Sequence, residues 1–181
     1  MKIAIITGAS AGIGRELVLA IDKEYTYDAI WVIARRRERL EELQKSCRNP
    51  LRPVTLDLSQ ETALAEYEAL LAAEQPEVSL LVNAAGCGSF GPFASCDLSK
   101  QENSIRLNVL ALTALCRLTR PYMRQGSSII NLGSNSAWQP VPYQAVYGAS
   151  KSYVLSFSRA LGRELRPRGI HVMCVCPGWI K

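Results

Sequence analysis

The chain has 181 residues, of which 48% are hydrophobic and 20% are charged, and its formal net charge is +5. This length and composition predict one globular domain with a buried core and exclude an intrinsically disordered chain. No apolar run approaches the roughly 18 residues of a membrane span, and Gly8 interrupts the apolar N-terminus too early for a signal peptide. We therefore expect a cytoplasmic protein.

Apolar runs typical of buried strands alternate with helical patterns along the chain. Strands are predicted at residues 2–7, 29–34, 53–56, 78–82, 128–132 and 170–176. Helices are predicted at 12–24, 36–47 and 60–74, within 97–124, and at 144–166. This alternation predicts an α/β fold in which helices cover both faces of a parallel sheet. Six such strands fit the doubly wound Rossmann fold, a three-layer α/β/α dinucleotide-binding domain with strand order 3-2-1-4-5-6, here spanning residues 1–181.

The middle of the fourth predicted helix, residues 105–118, is apolar on nearly all sides. A helix of this kind is expected to be buried. We therefore expect it to pack in the core and against a second subunit, in a homo-dimer or homo-tetramer.

A glycine-rich loop follows the first predicted strand directly, in the sequence Thr7-Gly8-Ala9-Ser10-Ala11-Gly12-Ile13-Gly14. Gly8 permits a sharp turn, Gly12 permits close approach of a ligand, and Gly14 permits tight packing of the following helix. The N-terminus of that helix offers free backbone N–H groups and a partial positive charge to a pyrophosphate. Because the loop lies between a strand and a helix, as the motif requires, we expect more than a plain turn. The predicted contacts are Gly8, Ser10, Gly12, Ile13 and Gly14.

The end of the second predicted strand indicates which dinucleotide is bound. NAD-specific sites usually have an acidic residue here, whereas this chain has Ala34 followed by Arg35 and Arg36. A guanidinium group suits a 2′-phosphate, so we expect NADP(H) in preference to NAD(H), with Arg35 as its contact. The alternative is that these arginines only open a solvated helix. The basic excess is concentrated in residues 35–39, which argues against a nucleic-acid partner.

The histidine and cysteine content argues against a metal site. The chain has a single histidine, His171, and none of its six cysteines forms a Cys-x-x-Cys pair. Without a secretion signal, we expect all six cysteines to be free thiols. Cys174 and Cys176 are expected to lie on the same face of the last predicted strand.

Tyr147 and Lys151 stand four residues apart in the last predicted helix. This spacing is one helical turn, so both side chains are expected to project from the same face. A lysine ammonium favours the phenolate form of a neighbouring tyrosine, which makes the tyrosine a better acid–base group near neutral pH. The pair is therefore a candidate catalytic centre.

With these features in view, the chain resembles the short-chain dehydrogenases/reductases over essentially its whole length. Residues 7–14 match the family's TGxxxGxG loop, and residues 83–86 match its NxAG motif. Ser134 lies thirteen residues before Tyr147, which is the family's spacing. The other matching positions are Asp57-Leu58 after the third strand, Asn108 in the long helix and Pro177-Gly178 after the sixth strand.

The resemblance implies a role for each matching residue. Tyr147 would be the general acid/base, Lys151 would assist it and hold the nicotinamide ribose, and Ser134 would hydrogen-bond the substrate oxygen. Asn108 would hold a water molecule that links Lys151 to solvent. Further cofactor contacts are implied at Asp57, Leu58, Asn83, Ala84, Gly86, Pro177, Gly178 and Ile180. The implied reaction is hydride transfer between the nicotinamide and a small-molecule carbonyl or alcohol.

Family members usually continue past this point with a substrate-binding loop, whereas this sequence stops at Lys181. We therefore expect the cofactor half of the site to be complete and the C-terminal substrate-loop region to be missing. Two alternatives stay open: an NADP(H)-binding module with little or no catalysis, and a related isomerase or dehydratase. Residues 87–93, with Trp138 and Tyr143, are expected either to line an apolar substrate pocket or to lie in the core or an interface.

Overall fold

The computed structural model describes residues 1–178 and contains a six-stranded parallel sheet. The strands are β1 (Lys2–Thr7), β2 (Ala29–Ala34), β3 (Leu51–Thr55), β4 (Glu77–Asn83), β5 (Ser128–Leu132) and β6 (His171–Val175). Their order across the sheet is β3-β2-β1-β4-β5-β6. The predicted doubly wound fold and strand order are confirmed.

Six α-helices connect these strands within residues 1–178. They are α1 (Gly12–Glu24), α2 (Arg37–Gln44), α3 (Glu61–Glu74), α4 (Leu98–Ile105), α5 (Leu112–Thr119) and α6 (Ala145–Leu165). The region predicted as one long helix is divided, because Arg106–Ala111 between α4 and α5 has π-helical hydrogen bonding. Short 3₁₀ turns also occur, including Asn135–Ala137 directly after β5. None of the helices within residues 1–178 is both long enough and apolar enough to cross a membrane.

The apolar strands divide their side chains between two cores, one on each face of the sheet. On β1, Ile3 and Ile5 belong to one hydrophobic cluster, whereas Ala4 and Ile6 belong to the other. This division follows from the alternation of side chains along a strand. It explains why the strands are continuous apolar runs rather than alternating ones, since both faces are covered by helices.

A buried carboxylate fixes the chain between α2 and β3. Asp22 of α1 accepts hydrogen bonds from the backbone N–H groups of Arg48 and Asn49 and from the Asn49 side chain. Burial alone would raise the pKa of Asp22, but these hydrogen bonds lower it below its ordinary value. Because residues 45–49 are held in this loop, α2 ends at Gln44 rather than at the predicted residue 47.

The third strand also begins earlier than predicted. It starts at Leu51, and Pro53 lies in its middle, paired with Val32. Proline cannot donate to a strand ladder, and it is tolerated here because β3 is the edge strand of the sheet.

Candidate active site

The glycine-rich loop joins the carboxyl end of β1 to the start of α1. Gly8 has φ +69°, and a Cβ atom there would lie 2.8 Å from the backbone nitrogen of Ala85. A Cβ atom at Gly14 would lie 2.4 Å from the carbonyl oxygen of Gly8. At Gly12, with φ +55°, no atom of the described residues lies within 4 Å of such a Cβ position. The loop is therefore packed tightly at Gly8 and Gly14 and open at Gly12, where a ligand can approach its backbone.

Thr7 ties this loop to the loop after β4. Its buried hydroxyl accepts hydrogen bonds from the backbone N–H groups of Ala84 and Ala85, at 3.1 and 3.0 Å. It also lies 3.4 Å from the carbonyl oxygen of Val82, to which it donates. The carboxyl ends of β1 and β4 are thus held in a fixed relative position, where ligands of doubly wound sheets bind.

A first cavity of about 360 Å³ runs beside the glycine-rich loop. Its lining includes Arg35 and Arg36, which follow β2, and Asp57 and Leu58, which follow β3. Arg36 donates a hydrogen bond from Nη2 to the Ser10 hydroxyl at 3.1 Å. The Asp57 carboxylate accepts from the N–H and hydroxyl of Ser59, at 3.1 and 2.7 Å. The lining also includes Gly8, Ile13, Gly14, Ala84 and Gly86.

A second cavity of about 300 Å³ adjoins the first. Ile13, Ala84, Gly86 and Cys87 line both cavities. The second cavity is further lined by Ser134, Tyr147, Lys151, Pro177 and Gly178. Three of the four predicted catalytic residues therefore meet in one cavity beside the glycine-rich loop.

Lys151 is a buried ionisable residue in the lining of this cavity. Its Nζ donates to the carbonyl oxygen of Leu132 at 2.7 Å and lies 5.8 Å from the centre of the Tyr147 ring. Burial lowers the pKa of Lys151 to about 8, although the thiols of Cys174, Cys87 and Cys176 act in the opposite direction. The amine can therefore gain or lose a proton close to neutral pH.

The Tyr147 ring is held by the loop after β4. The Phe90 ring lies 5.4 Å from it, centre to centre, at an interplanar angle of 59°. Gly88 packs so closely that a Cβ atom there would lie 2.7 Å from Cδ2 of Tyr147. Part of the stretch 87–93 thus lines the cavity, as one of the two sequence interpretations held. Trp138 and Tyr143 lie outside this lining and are 59% and 66% exposed.

Ser134 lies at the carboxyl end of β5, where it caps the 3₁₀ turn that follows. Its Oγ accepts from the Ser136 N–H at 3.2 Å and donates to Oδ1 of Asn135 at 3.2 Å. The turn is anchored in addition by the Asn135 N–H, which donates to the carbonyl oxygen of Pro177. These hydrogen bonds therefore hold the Ser134 hydroxyl in a defined position at the carboxyl end of β5.

Asn108 lies behind the cavity, within the π-helical segment. Its Oδ1 accepts from the Cys87 N–H at 3.0 Å, and its Nδ2 donates to the Cys87 carbonyl at 2.8 Å and to the Ser150 hydroxyl at 3.0 Å. A Cβ atom at Gly86 would lie 3.1 Å from Asn108 Oδ1 and 3.5 Å from Lys151 Nζ. Asn108 therefore fixes the loop after β4 against α6 and next to the lysine.

Gly12, Asn83 and Ile180 differ from the other predicted cofactor contacts. Gly12 lines neither cavity. Asn83 is 2% exposed, lines neither cavity, and donates from Nδ2 to Oδ1 of Asn131 on β5 at 2.8 Å. Its side chain therefore supports the sheet beneath the site. Ile180 lies outside the described residues.

Comparison with known proteins identifies the family. The profile of the short chain dehydrogenases matches residues 2–181. The chain belongs to this family. An NADP-dependent 3-hydroxy acid dehydrogenase of Escherichia coli (strain K12) is 33% identical, over 98% of this chain and 72% of the relative.

Two solved structures similar to this chain are complexes with a nicotinamide cofactor. A short-chain dehydrogenase from Sphingobium yanoikuyae in complex with NADPH has a TM-score of 0.88 and 29% identity, covering 100% of this chain and 72% of that chain. A 4-hydroxyisoleucine dehydrogenase complexed with NADH has a TM-score of 0.88 and 25% identity, covering 100% and 74%. The fold is thus shared with one protein in complex with NADPH and with another in complex with NADH. The chain is an oxidoreductase of this family.

Two residues of this short-chain dehydrogenase, Arg36 and Gly88, shape the site in ways that the sequence prediction did not specify. Arg36 shares the first cavity with Arg35, and its position next to the predicted contact was a signal for it. Gly88 contacts the Tyr147 ring, but the sequence carries no signal that these distant residues meet. The close approach depends on how the loop after β4 folds over α6.

Proposed function

We propose that this short-chain dehydrogenase is an NADP(H)-dependent oxidoreductase that transfers a hydride between the nicotinamide and the carbonyl or alcohol group of a small molecule, with Tyr147 as general acid/base. The observation that carries the proposal is the single cavity lined by Ser134, Tyr147 and Lys151, which adjoins the cavity beside the glycine-rich loop. A cofactor bound along both cavities would reach all three polar side chains.

The first cavity has the chemistry that the phosphate and adenosine parts of NADP(H) require. The open side of the loop at Gly12 leads to the first backbone N–H groups of α1, which would hold the pyrophosphate. Arg35 and Arg36 would hold the 2′-phosphate. Asp57 and Leu58, which line the same cavity, would contact the adenine.

The second cavity would receive the nicotinamide part of the cofactor. Lys151 and Tyr147 would hydrogen-bond the ribose from α6, where both side chains line the cavity. The remaining proposed contacts within residues 1–178 lie at the carboxyl ends of β4 and β6 and comprise Asn83, Ala84, Gly86, Pro177 and Gly178. Ile180, a further proposed contact, lies outside the described residues. Asn83 would act through the sheet that it supports, since its side chain is hydrogen-bonded to Asn131.

When bound, the nicotinamide supplies or accepts the hydride. In reduction, the Tyr147 hydroxyl would donate its proton to the substrate oxygen, and in oxidation it would take that proton back. The Ser134 hydroxyl would turn from Asn135 to hydrogen-bond the same oxygen. Gly88, Phe90 and Gln144, which line this cavity, would contact the substrate.

Lys151 would support the proton transfer in two ways. Its ammonium group, 5.8 Å from the ring centre, provides a positive charge beside the Tyr147 phenolate. Its pKa of about 8 allows it to exchange a proton near neutral pH. Asn108 would keep the loop at Gly86 in place beside Lys151, and the water that it is proposed to hold would link the lysine to solvent.

The test of this proposal is Tyr147→Phe, assayed with NADPH on a panel of ketones and aldehydes. We expect turnover to fall by about 10²–10⁴-fold, the usual contribution of a general acid, because only the hydroxyl is removed. NADPH affinity, measured by fluorescence titration, should fall by no more than about tenfold, since the one hydrogen bond to the ribose that is lost contributes roughly 0.5–1.5 kcal/mol. A variant that reduces carbonyls at the wild-type rate would contradict the assignment. If wild-type protein binds NADPH but turns over nothing in the panel, the binding-module alternative is favoured instead.

A further inference from the structure

The carboxyl end of β6 carries two cysteines that the proposed mechanism does not use. Cys174 and Cys176 are separated by one residue, so they project from the same face of the strand. Their sulfur atoms lie 3.8 Å apart, and both side chains are partly exposed free thiols. Two thiols in contact are a potential site of covalent modification, distinct from an isolated buried cysteine.

The two sulfur atoms lie directly on the backbone that shapes the second cavity. A Cβ atom at Gly133 would lie 2.8 Å from each of them, and the Gly133 N–H donates to the carbonyl oxygen of Val175 at 2.7 Å. The residue before Gly133 is Leu132, whose carbonyl holds Lys151, and the residue after it is Ser134. A displacement at Gly133 is therefore transmitted to the side chains of Lys151 and Ser134.

The strand geometry permits a disulfide between these cysteines. A rise of about 3.3 Å per residue separates their Cα atoms by about 6.6 Å. This separation is at the upper end of the 4.4–6.8 Å range of disulfides, and the sulfur atoms need to approach each other by about 1.8 Å. A bond formed at the limit of the allowed geometry is readily reduced again, as is typical of regulatory disulfides.

We propose that Cys174 and Cys176 form a reversible oxidation site, which a low-molecular-weight disulfide converts into an intramolecular disulfide. The Cys176 thiolate attacks one sulfur of the reagent RSSR, a mixed disulfide forms, and RS⁻ leaves with the electron pair. The Cys174 thiolate then attacks Cys176 Sγ and displaces the second RS⁻. The two protons of the cysteines go to the two RS⁻ groups, so the dithiol is oxidised to a disulfide and RSSR is reduced to two RSH.

The order of the two steps follows from the surroundings of the thiols. Burial, with the neighbouring Cys176, raises the pKa of Cys174 to about 11. A thiol that is rarely ionised is a poor first nucleophile, so Cys174 acts second, once the mixed disulfide lies next to it. Formation of the bond pulls on Gly133 and shifts Ser134 and the Leu132 carbonyl. Loss of turnover on oxidation rests on the function proposed above, whereas the thiol chemistry does not.

The experiment is incubation of the full chain with oxidised glutathione, followed by alkylation of free thiols and mass spectrometry of the peptide that contains both cysteines. We expect this peptide to lack both alkyl groups and to be lighter than the reduced peptide by two hydrogens. Dithiothreitol should restore two alkylation sites. Cys174→Ser should stop at the glutathione adduct on Cys176, and Cys96→Ser should behave like the wild type.

Turnover with NADPH is measured on the same samples. It should fall by about tenfold to a hundredfold on oxidation, because displacements near 1 Å at reacting groups have effects of that size, and it should recover with dithiothreitol. Two free thiols, or only glutathione adducts, in the wild-type peptide at high oxidised glutathione would overturn the oxidation site. An internal disulfide that leaves turnover unchanged would overturn its link to the cavity. An unoxidised sample without turnover would instead count against the proposed function.

Discussion

Arg35 and Arg36 carry the charge on which the proposed cofactor preference depends. Both line the first cavity, and Arg36 is already oriented by its hydrogen bond to Ser10. A hydrogen bond to a charged group contributes roughly 1.5–3 kcal/mol, and Arg is suited to bind phosphate with two such bonds.

We therefore expect Arg35→Ala/Arg36→Ala to weaken NADPH binding by about 10–100-fold, because the charge-assisted hydrogen bonds to the 2′-phosphate are lost. NADH lacks this phosphate, so its affinity should change by less than about threefold. Fluorescence titration of both cofactors measures the difference. Arg39→Ala, an exposed arginine of α2 outside the cavity lining, is the matched control. Equal losses for NADPH and NADH would refute the assignment of these arginines to the 2′-phosphate.

Lys151 links the chemistry of the site to the stability of the fold. Its pKa in the folded protein is about 8, against an ordinary value of 10.5, because its amine is buried. Between these two values the unfolded chain binds more protons than the folded chain, so stability rises as the pH is raised. The shift corresponds to about 3 kcal/mol, which is the cost of the buried charge below pH 8.

Lys151→Met should therefore lose turnover and also lose this rise in stability. Urea denaturation at several pH values between about 7 and 10.5 measures both proteins, and the difference between them isolates the lysine from other groups that titrate there. We expect the variant to be the more stable protein at pH 7 and its advantage to shrink as the pH rises. A difference in stability that stays constant over this range would show that the lysine does not release its proton there.

At the scale of elements, the site depends on contacts between segments that are distant in the sequence. The loop after β4 packs on the first turn of α6, where Gly88 and Phe90 contact Tyr147, and the Gly91 N–H donates to the carbonyl of Tyr143 at 2.9 Å. Hydrophobic periodicity predicted α6 correctly but had no information about this loop. The four-residue spacing therefore predicted that Tyr147 lies near Lys151, but it did not predict the orientation of the Tyr147 ring.

Gly88→Ala tests this contact directly. The added methyl group would lie 2.7 Å from Tyr147 Cδ2, closer than carbon atoms can approach, so the ring must move. We expect kcat to fall by about 10–100-fold, with NADPH affinity changed by less than about threefold. Gly162→Ala in the same helix α6 is the control, since its Cβ would be at an ordinary 3.5 Å from Val172. Unchanged kcat in Gly88→Ala would mean that the ring position does not govern the reaction.

The π-helical segment is a second feature that the sequence did not predict. Residues 105–118 are apolar on nearly all sides, so a π-helical turn within them leaves no visible break in the pattern, and one long helix was predicted within residues 97–124. In the structure, the π-helical segment contains Asn108, which hydrogen-bonds Cys87 and Ser150. The Asn108 side chain thus joins the π-helical segment, the loop after β4 and α6. Its hydrogen bonds form only when these three elements are packed together.

At the scale of the whole molecule, the expected burial of residues 105–118 is only partly met in one chain. Ala111, Leu112 and Leu115 are buried, whereas Ile105 and Leu110 are 44% and 59% exposed. Ile105 lines an apolar groove of about 400 Å³ between the α4–α5 region and α6, together with Val109, Ala145, Val146, Ala149 and Tyr153. An exposed apolar groove of this kind is typical of a protein–protein interface. It is consistent with the expected homo-oligomer, which stays a prediction.

The oligomeric state, measured by sedimentation velocity, tests this prediction. We expect the wild-type chain to sediment as a dimer or tetramer, and Ile105→Glu/Ala149→Glu to shift it to a monomer, because two charges would be buried without partners. Tyr25→Glu, an exposed aromatic residue at the end of α1, is the control for added charge and should keep the wild-type state. A wild-type monomer at all concentrations would contradict the proposed assembly.

The sequence by itself determined the features that depend on neighbouring residues along the chain. These are the strand–helix alternation, the glycine-rich loop and the Tyr147–Lys151 spacing, because backbone conformation and one-turn spacing are local properties. The tertiary structure decided the lowered pKa of Lys151, the close packing of Gly88 against the Tyr147 ring and the contact of the Cys174 and Cys176 sulfur atoms with Gly133. Each of these depends on desolvation or close packing between segments far apart in the sequence, and such contacts exist only once the whole sheet and its helices have assembled.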